Sequence, residues 1–228
     1  MKDLTAPIYE IFVSYQGEGL FVGQRQIFVR FSGCNLKCSY CDEQAAREKS
    51  DLKSLDWAVK KIKELSQKYK TNKISFTGGE PLLYHYFIKN LIKKLGKKYF
   101  YVLETNGTLY KNLDGIISLI DFVSMDIKLS DYVKKDLLKE HMSFFKKCKR
   151  KSYIKMVFDK KIKISELEKI FIEISKIKKD VVFFLQPATI NRKIKIDKQL
   201  SDEIYKIASD YLKDVRLLPQ IHKLIKIK

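Results

Sequence analysis

The 228-residue chain has no long hydrophobic run and few cysteines. No stretch of about 18 apolar residues is present and no apolar core follows Met1, so the sequence predicts neither a transmembrane helix nor a secretory leader. Four cysteines cannot form the dense disulfide framework that is typical of small secreted domains. We therefore expect a cytoplasmic protein, in a compartment that keeps thiols reduced.

Arginine is also scarce, although the chain is strongly basic. Lysine and arginine total 46 against 27 acidic residues, which gives a net charge of +19, and only six of the 46 are arginines. The lysines are spread along most of the chain, as in Lys60-Lys61 and Lys93-Lys94. Phosphate and base recognition favours arginine forks, often beside aromatic residues, and no such patch is present. The sequence therefore disfavours nucleic-acid binding, and the lysines are interpreted as a solvated surface.

Three of the four cysteines lie close together, at Cys34, Cys38 and Cys41, with the spacing C-x3-C-x2-C. This crowding of thiolates favours a [4Fe–4S] cluster, and three ligands leave one iron open to an exogenous ligand. A structural zinc ion prefers four closed ligands in paired units, and no second pair lies nearby. Zinc and unligated cysteines remain alternatives at this point. The fourth cysteine, Cys148, lies among lysines and is interpreted as a surface thiol.

β-rich runs and helical patterns alternate along most of the chain. Strands are predicted near 8–14, 26–31, 73–77, 99–104, 122–127, 152–158, 181–186 and 215–217, and helices near 54–70, 86–95, 113–120, 133–147, 165–178 and 200–211. Such alternation predicts right-handed βαβ units and a mainly parallel sheet. About six units are too few for a closed eight-stranded barrel. We therefore expect an α/β fold, a partial (βα)6-type barrel in which residues 1–228 form a single domain, with its site at the carboxyl ends of the strands.

Polar motifs follow several of these predicted strands. They are Thr77-Gly78-Gly79-Glu80-Pro81, Glu104-Thr105-Asn106-Gly107, Ser124-Met125-Asp126-Ile127-Lys128 and Gln186-Pro187. These residues could be ordinary loop residues, or they could line one pocket, because the carboxyl ends of parallel strands meet at one edge. A further loop, Gln16-Gly17-Glu18-Gly19, could be a simple hairpin connection with solvent-facing side chains. A pocket shared by several such loops would suit a nucleoside-sized cofactor.

The cysteine spacing together with the Gly-Gly turn resembles the radical S-adenosylmethionine (SAM) enzymes, and further motifs resemble the 7-carboxy-7-deazaguanine synthase family. Those motifs are Glu10-Ile11-Phe12, Gln16-Gly17-Glu18-Gly19, Gly23, Phe28-Val29-Arg30-Phe31, Gly33-Cys34-Asn35-Leu36, Cys41-Asp42, the segment 77–81, Glu104-Thr105-Asn106-Gly107 and Gln186-Pro187. The resemblance implies a radical SAM barrel and a lyase of 7-deazapurine (queuosine) biosynthesis. The implied reaction converts 6-carboxy-5,6,7,8-tetrahydropterin to 7-carboxy-7-deazaguanine with loss of ammonia.

The resemblance also implies roles for individual residues. Cys34, Cys38 and Cys41 would hold the [4Fe–4S] cluster; Tyr40, Cys41, Asp42, Gly79, Asp126, Ile127, Lys128, Gln186 and Pro187 would contact SAM; and Tyr15, Gln16, Gly17, Arg30 and Thr77 would contact the pterin substrate. A guanidinium fork at Arg30 suits a substrate carboxylate. Many family members have Cys-Asp-Thr and Ser-Pro-Lys where this chain has Cys41-Asp42-Glu43 and Asp126-Ile127-Lys128. Glu43 either replaces the threonine as a direct Mg²⁺ ligand, which is the expectation favoured here, or pairs with a lysine and leaves the ion dispensable.

The resemblance implies partners as well. These are an electron donor such as flavodoxin or ferredoxin and a second copy of the chain in a homodimer. Two other functions remain open from the residues. An activase for a glycyl-radical enzyme would share the cysteine spacing and the compact size. A non-catalytic, basic RNA-binding protein with a structural metal loop would explain the charge but not the motifs at the strand ends.

Overall fold

A computed structural model of the chain describes residues 4–41, 44–47, 50–190, 193–194, 197–225 and 227. Its strands are β1 (Thr5–Tyr15), β2 (Arg25–Phe31), β3 (Leu52–Ser54), β4 (Lys73–Gly78), β5 (Phe100–Thr105), β6 (Phe122–Ile127), β7 (Ser152–Phe158), β8 (Val182–Pro187), β9 (Thr189–Ile190), β10 (Lys193–Ile194) and β11 (Asp214–Leu217). Its helices are α1 (Gln44–Arg47), α2 (Leu55–Tyr69), α3 (His85–Leu95), α4 (Tyr110–Leu113), α5 (Ser130–Val133), α6 (Leu138–Cys148), α7 (Ile164–Ile177), α8 (Lys198–Tyr211) and α9 (Ile221–Leu224). Among the described residues, no helix is long and apolar enough to cross a membrane.

Nine of the strands form one open sheet in the order β11-β8-β7-β6-β5-β4-β2-β1-β3. Every neighbouring pair from β2 to β11 in that order is parallel. The outer strand β1 is antiparallel to both β2 and β3. The predicted fold class, a partial barrel with a mainly parallel sheet, is confirmed by this topology.

The central strands are buried on both faces, as parallel strands covered by helices must be. All seven residues of β7 are buried, including Lys155 in the middle of an apolar run. The strand β1 instead alternates between buried and more exposed residues, because one of its faces is less covered. The core is one cluster of apolar residues drawn from the sheet and from the helices packed on it.

Helix α2 illustrates how local sequence sets the element boundaries. Ser54 caps its amino end, accepting the backbone N–H of Trp57 at 3.2 Å. The helix ends at Lys70, which adopts the left-handed conformation with φ of 49°. Leu55, Ala58 and Ile62 form its buried face, as the periodicity predicts.

Two predicted helices differ from the structure. In place of a helix over 113–120, the short helix α4 ends at Leu113 and a separate 3-10 turn follows at Ile117–Leu119. The helix predicted over 133–147 begins later, as α6 at Leu138, because Lys134 adopts the left-handed conformation and ends the short helix α5. The carboxyl-terminal tail packs against the first loop, where the backbone N–H of Ile221 donates to Gly17 O at 3.0 Å. Gly17 and Ile221, which come from opposite ends of the chain, thereby lie together at one edge of the sheet.

Candidate active site

A cavity of about 1250 Å³ opens at the carboxyl ends of the parallel strands. Strands β4, β5 and β6 each contribute residues at or just after their last positions. Twelve of the residues predicted for the site line it: Tyr15, Gln16, Gly17, Arg30, Cys34, Cys38, Tyr40, Cys41, Thr77, Gly79, Asp126 and Lys128. The cysteine triplet (Cys34, Cys38 and Cys41) therefore shares one cavity with the residues predicted to bind two small molecules.

The loop that carries the cysteine triplet is fixed by backbone hydrogen bonds to its neighbours. Gly33 N–H donates to Ala46 O at 2.8 Å, and Ser39 N–H donates to Tyr132 O at 3.0 Å. The sulfur of Cys34 accepts the N–H of Leu36 at 3.4 Å. Hydrogen bonds within the chain therefore fix the conformation of the cysteine loop.

The three thiols influence one another electrostatically, and all are partly exposed to the cavity. Burial raises the pKa of Cys34, and it raises the pKa of Cys38 to about 11. These thiols are therefore protonated near neutral pH, and a bound metal centre must displace their protons. Within the described ranges, no three His, Cys, Asp or Glu side chains converge as ligands of a single metal ion. A four-iron cluster is held by thiolates at separate corners, which fits sulfur atoms spread around a cavity wall.

The Gly78-Gly79 turn after β4 lies directly against the cysteine loop. A Cβ on Gly79 would stand 2.0 Å from Gly33 O, and one on Gly78 would stand 2.1 Å from Phe31 O. Gly78 also has a φ of 127°, which L side chains rarely adopt. Only glycine allows this close approach, which leaves backbone groups exposed along the cavity wall beside Cys34.

Asp126 and Lys128 form a partly buried ion pair that lines the same cavity as the cysteine triplet. Nζ of Lys128 donates to Oδ2 of Asp126 at 2.8 Å, and each side chain is 14% exposed. Lys128 also lies over the ring of Tyr40, at 5.0 Å from its centroid. Burial lowers the pKa of Lys128, but Asp126 and Tyr40 outweigh that effect and hold it well above its usual value. Oδ1 of Asp126 is buried and has no hydrogen-bond partner among the residues that the structure describes.

A second buried ion pair joins Glu18 to Lys155. Oε1 of Glu18 also accepts from Nε2 of Gln220 at 2.7 Å. Burial raises the pKa of Glu18, but the attraction of Lys155, followed by that of His222, outweighs it and lowers the pKa to about 2. Lys223 donates to Oε1 of Gln220 at 2.6 Å, so the carboxyl-terminal tail closes this side of the cavity.

Gln16 and Glu104 link the first loop to the end of β5. Nε2 of Gln16 donates to Oε1 of Glu104 at 2.9 Å, and Ser75 donates to the same oxygen at 2.5 Å. Oε1 of Gln16 accepts the N–H of Glu18 at 3.1 Å. Gln16 and Glu18 are both buried, so the solvent-facing alternative for this loop is wrong.

Arg30 lies on the cavity wall, where two residues of the neighbouring strand β1 hold its guanidinium. Its Nη1 donates to Oε1 of Glu10 at 2.7 Å, and Glu10 is its cross-strand partner. Its guanidinium lies over the ring of Phe12 at 4.9 Å. The orientation of this guanidinium is therefore set by the protein.

Three residues predicted to contact SAM do not line the cavity. Ile127, Gln186 and Pro187 are buried at the ends of β6 and β8. Side chains alternate along a strand, so Asp126 and Lys128 face the cavity while Ile127 faces the core. After β8 the cavity is lined by Ala188 and Thr189 instead. Two further predicted residues, Asp42 and Glu43, lie outside the described residues.

The surface position predicted for Cys148 is wrong. Its side chain is 1% exposed, and its sulfur lies 3.5 Å from Phe144 O, one turn earlier in α6. Cys148 continues the buried face of α6 formed by Phe144 and Phe145. The adjacent lysines, which suggested an exposed position, lie on the other faces of the helix.

The cavity lining also includes residues that were not singled out from the sequence, among them Lys155, Gln220, His222 and Lys223. One signal was present for Lys155, because a lone lysine interrupts an apolar strand. The other three lie in the basic tail, where nothing in the local pattern distinguishes them from surface residues. Glu18 was part of a recognised motif but had no assigned role.

The sequence is similar to proteins of known family. The profile of the Radical SAM superfamily matches residues 28–171. A 7-carboxy-7-deazaguanine synthase from Methanocaldococcus jannaschii is 35% identical over 95% of this chain and 98% of its own length. One from Geobacter sulfurreducens is 31% identical over 98% of both chains. One from Methanothermobacter thermautotrophicus is 44% identical, over 59% of this chain and 54% of its own length.

Solved structures give the same fold. A crystal structure of QueE from Escherichia coli has a TM-score of 0.62, with 22% identity over 96% of this chain and 95% of that chain. A radical SAM methyltransferase from Sphaerobacter thermophilus also has a TM-score of 0.62, with 11% identity over 94% of this chain and 77% of that chain.

The sheet, the cysteine triplet and the cavity thus define a radical SAM enzyme, whose cofactors are a [4Fe–4S] cluster and SAM. Within that superfamily, the chain belongs to the 7-carboxy-7-deazaguanine synthase family. The alternatives of a glycyl-radical activase and an RNA-binding protein are not favoured by these matches.

Proposed function

We propose that the chain converts 6-carboxy-5,6,7,8-tetrahydropterin to 7-carboxy-7-deazaguanine, with loss of ammonia, as one radical SAM domain spanning 1–228. The observation that carries this proposal is the composition of the cavity. It combines the cysteine triplet with buried hydrogen-bonding residues from the first loop, from β5 and β7, and from the carboxyl-terminal tail. Pockets for one ligand are usually about 300–1,000 Å³. The volume of about 1250 Å³ supports two ligands bound side by side.

In this proposal the cysteine triplet holds the cluster and the adjoining residues hold SAM. When bound, the cluster would supply the single electron needed for reductive cleavage of SAM. The open backbone of Gly79 suits the SAM amino group. Oδ1 of Asp126, which has no hydrogen-bond partner among the described residues, would accept a hydrogen bond from SAM, while Lys128 holds the other carboxylate oxygen at 2.8 Å. The Tyr40 ring supplies an apolar face beside Cys41, and Asp42 would add a further contact to SAM. Ile127, Gln186 and Pro187 would contact SAM only through backbone groups.

The pterin would lie against the polar residues of the first loop. Its amino-pyrimidinone edge presents adjacent N–H donors, which suit a carboxylate acceptor. Both hydrogen bonds that described residues make to Glu104 go to Oε1, which leaves Oε2 for the substrate. Arg30, oriented by Glu10, would bind the substrate carboxylate. Tyr15, Gln16, Gly17 and Thr77 would complete the contacts and set the position of the reacting carbon.

Further partners follow from the same proposal. Glu43 would bind Mg²⁺ beside the substrate carboxylate. An acidic one-electron donor such as flavodoxin or ferredoxin would reduce the cluster, since Lys37 is exposed in the cysteine loop and Lys134 and Lys161 line the cavity. The chain would act in the cytoplasm, and a homodimer is the expected assembly.

The test is anaerobic turnover of the reconstituted protein with carboxytetrahydropterin, SAM and dithionite. We expect 7-carboxy-7-deazaguanine and ammonia in equal amounts, with SAM regenerated. A matched control is Cys38→Ala, which keeps the polar residues of the cavity but removes one cluster ligand. Abortive SAM cleavage without a pterin-derived product would show a radical SAM enzyme with another substrate, and would contradict the proposal.

A further inference from the structure

Asn106 lies between β5 and the cysteine loop, with its backbone held on both sides. Its N–H donates to Oε2 of Glu80 at 2.8 Å. Its carbonyl oxygen lies 3.1 Å from Nε2 of His141, within hydrogen-bonding distance. The residue is 6% exposed. Because these bonds involve only the backbone, a change of the Asn106 side chain leaves them in place.

The orientation of the Asn106 amide is fixed by Thr108. Oδ1 of Asn106 accepts the backbone N–H of Thr108 at 3.1 Å and its hydroxyl at 2.6 Å. A backbone N–H can only donate, so the amide oxygen must face Thr108. The amide nitrogen therefore faces the cysteine loop.

A ring of hydrogen bonds ties this amide to the cysteine loop. Nδ2 of Asn106 donates to Oδ1 of Asn35 at 2.9 Å. Nδ2 of Asn35 donates in turn to the hydroxyl of Thr108 at 2.9 Å, which closes the ring. The second hydrogen of the Asn106 amide is directed to Sγ of Cys34, with Nδ2 and Sγ 3.9 Å apart. With the N–H of Leu36 at 3.4 Å, Cys34 has two N–H donors at its sulfur.

We propose that Asn106 is a positioning residue whose side-chain N–H hydrogen-bonds the Cys34 thiolate and raises the reduction potential of the cluster. The thiolate carries more negative charge when the cluster is reduced, and a charge-assisted hydrogen bond stabilises that state more than the oxidised one. Ligand partners of this kind orient the metal ligands and tune the metal centre. This inference rests on the cluster at the cysteine triplet and not on the identity of the pterin substrate.

The test is a potentiometric titration of the reconstituted protein without substrate, in which the reduced cluster is measured by electron paramagnetic resonance. Asn106→Leu keeps the approximate shape but removes the donor. We expect its equilibrium constant of reduction to fall about tenfold, which is about 59 mV for a one-electron couple. Asn106→Asp keeps the acceptor for Thr108 and adds a negative charge, so its potential should fall further. Iron content and the cluster absorbance should match those of the unchanged protein.

A matched control is Asn112→Leu. The Asn112 amide is likewise a hydrogen-bond donor, to the backbone carbonyl of Leu82 at 3.0 Å, but it has no hydrogen bond to the cysteine triplet among the described residues. The reduction potential of the cluster in Asn112→Leu should stay unchanged. Potentials of both Asn106 variants equal to that of the control would overturn the proposal. If Asn106→Leu assembles no cluster, the reduction potential of Asn106→Asp decides between the outcomes. Loss of the cluster from both folded variants would show that Asn106 only holds the cysteine loop in place, and would also overturn the proposal.

Discussion

Replacing Lys155 with methionine would remove the cation of the buried Glu18–Lys155 ion pair. Each side chain of the pair is 10% exposed, and methionine keeps most of the apolar volume of the lysine stem. Glu18 would be left as a buried carboxylate with Gln220 as a neutral partner. Removing one partner of a buried pair costs about 3–5 kcal/mol, because the other charge is left uncompensated.

The pKa of Glu18 gives a second measure of the same interaction. It is lowered from 4.5 to about 2. A lowering of the pKa by about 2.5 units, at about 1.4 kcal/mol a unit, corresponds to roughly 3 kcal/mol of stabilisation of the ionised form. Both arguments therefore predict that Lys155→Met lowers the free energy of unfolding by about 3 kcal/mol at pH 7.

The effect should depend on pH with a definite sign. The folded pKa of Glu18 lies below its unfolded value, so the unfolded state binds the proton more readily. The stabilisation is therefore complete above about pH 4.5 and is lost progressively as the pH falls toward about 2. In Lys155→Met, burial without a cation raises the pKa of Glu18 instead, so acid should stabilise this variant relative to the unchanged protein.

The assay is urea unfolding of the cluster-free protein under reducing conditions, followed by circular dichroism at pH 7 and pH 4. Glu18→Gln combined with Lys155→Met should recover much of the lost stability, because no buried charge then remains. Lys198→Met is the matched control, since Lys198 pairs with Asp202 at the surface, and it should change little. If Lys155→Met lowers the free energy of unfolding by less than about 1 kcal/mol at pH 7, or by an amount that does not change with pH, the reasoning about the Glu18–Lys155 pair is refuted.

The remaining predictions concern the cofactors and the substrate. Alanine at any cysteine of the triplet should abolish the broad cluster absorbance at ~400 nm. Cys148→Ala should retain this absorbance, because the Cys148 thiol is buried in α6. Retention of the absorbance after loss of a triplet cysteine would contradict the cluster assignment. Arg30→Lys should keep the cluster and SAM cleavage but raise KM about 10- to 150-fold, since losing one charge-assisted bond costs about 1.5–3 kcal/mol; an unchanged KM would place Arg30 outside the substrate contacts. Turnover should fall with EDTA and recover with Mg²⁺, and Glu43→Gln should need more Mg²⁺ for the same rate; full activity in thoroughly chelated buffer would exclude the metal role.

The predictions from sequence that succeeded depend on local patterns. The spacing of the cysteine triplet, the Gly78-Gly79 turn and the alternation of strands with helices are each readable within a few residues or a few turns. Because parallel strands linked by helices must place their carboxyl ends together, the common cavity also followed from the sequence. The side-chain alternation that turns Ile127 away from the cavity could have been read in the same way.

Other features of the site were decided only by the tertiary structure. Lys155 and Glu18 are 137 residues apart, and Gln220 and Glu18 are 202 apart, so no local periodicity relates them. Their contacts depend on the order of strands in the sheet and on the return of the tail to the first loop. The burial of Cys148 likewise depends on the face that α6 turns to the core, since its basic neighbours in sequence gave the opposite indication. The sequence determined which chemistry the chain carries, whereas packing determined which charges are removed from water and which partners they meet, because burial is a property of the assembled layers and not of any one segment.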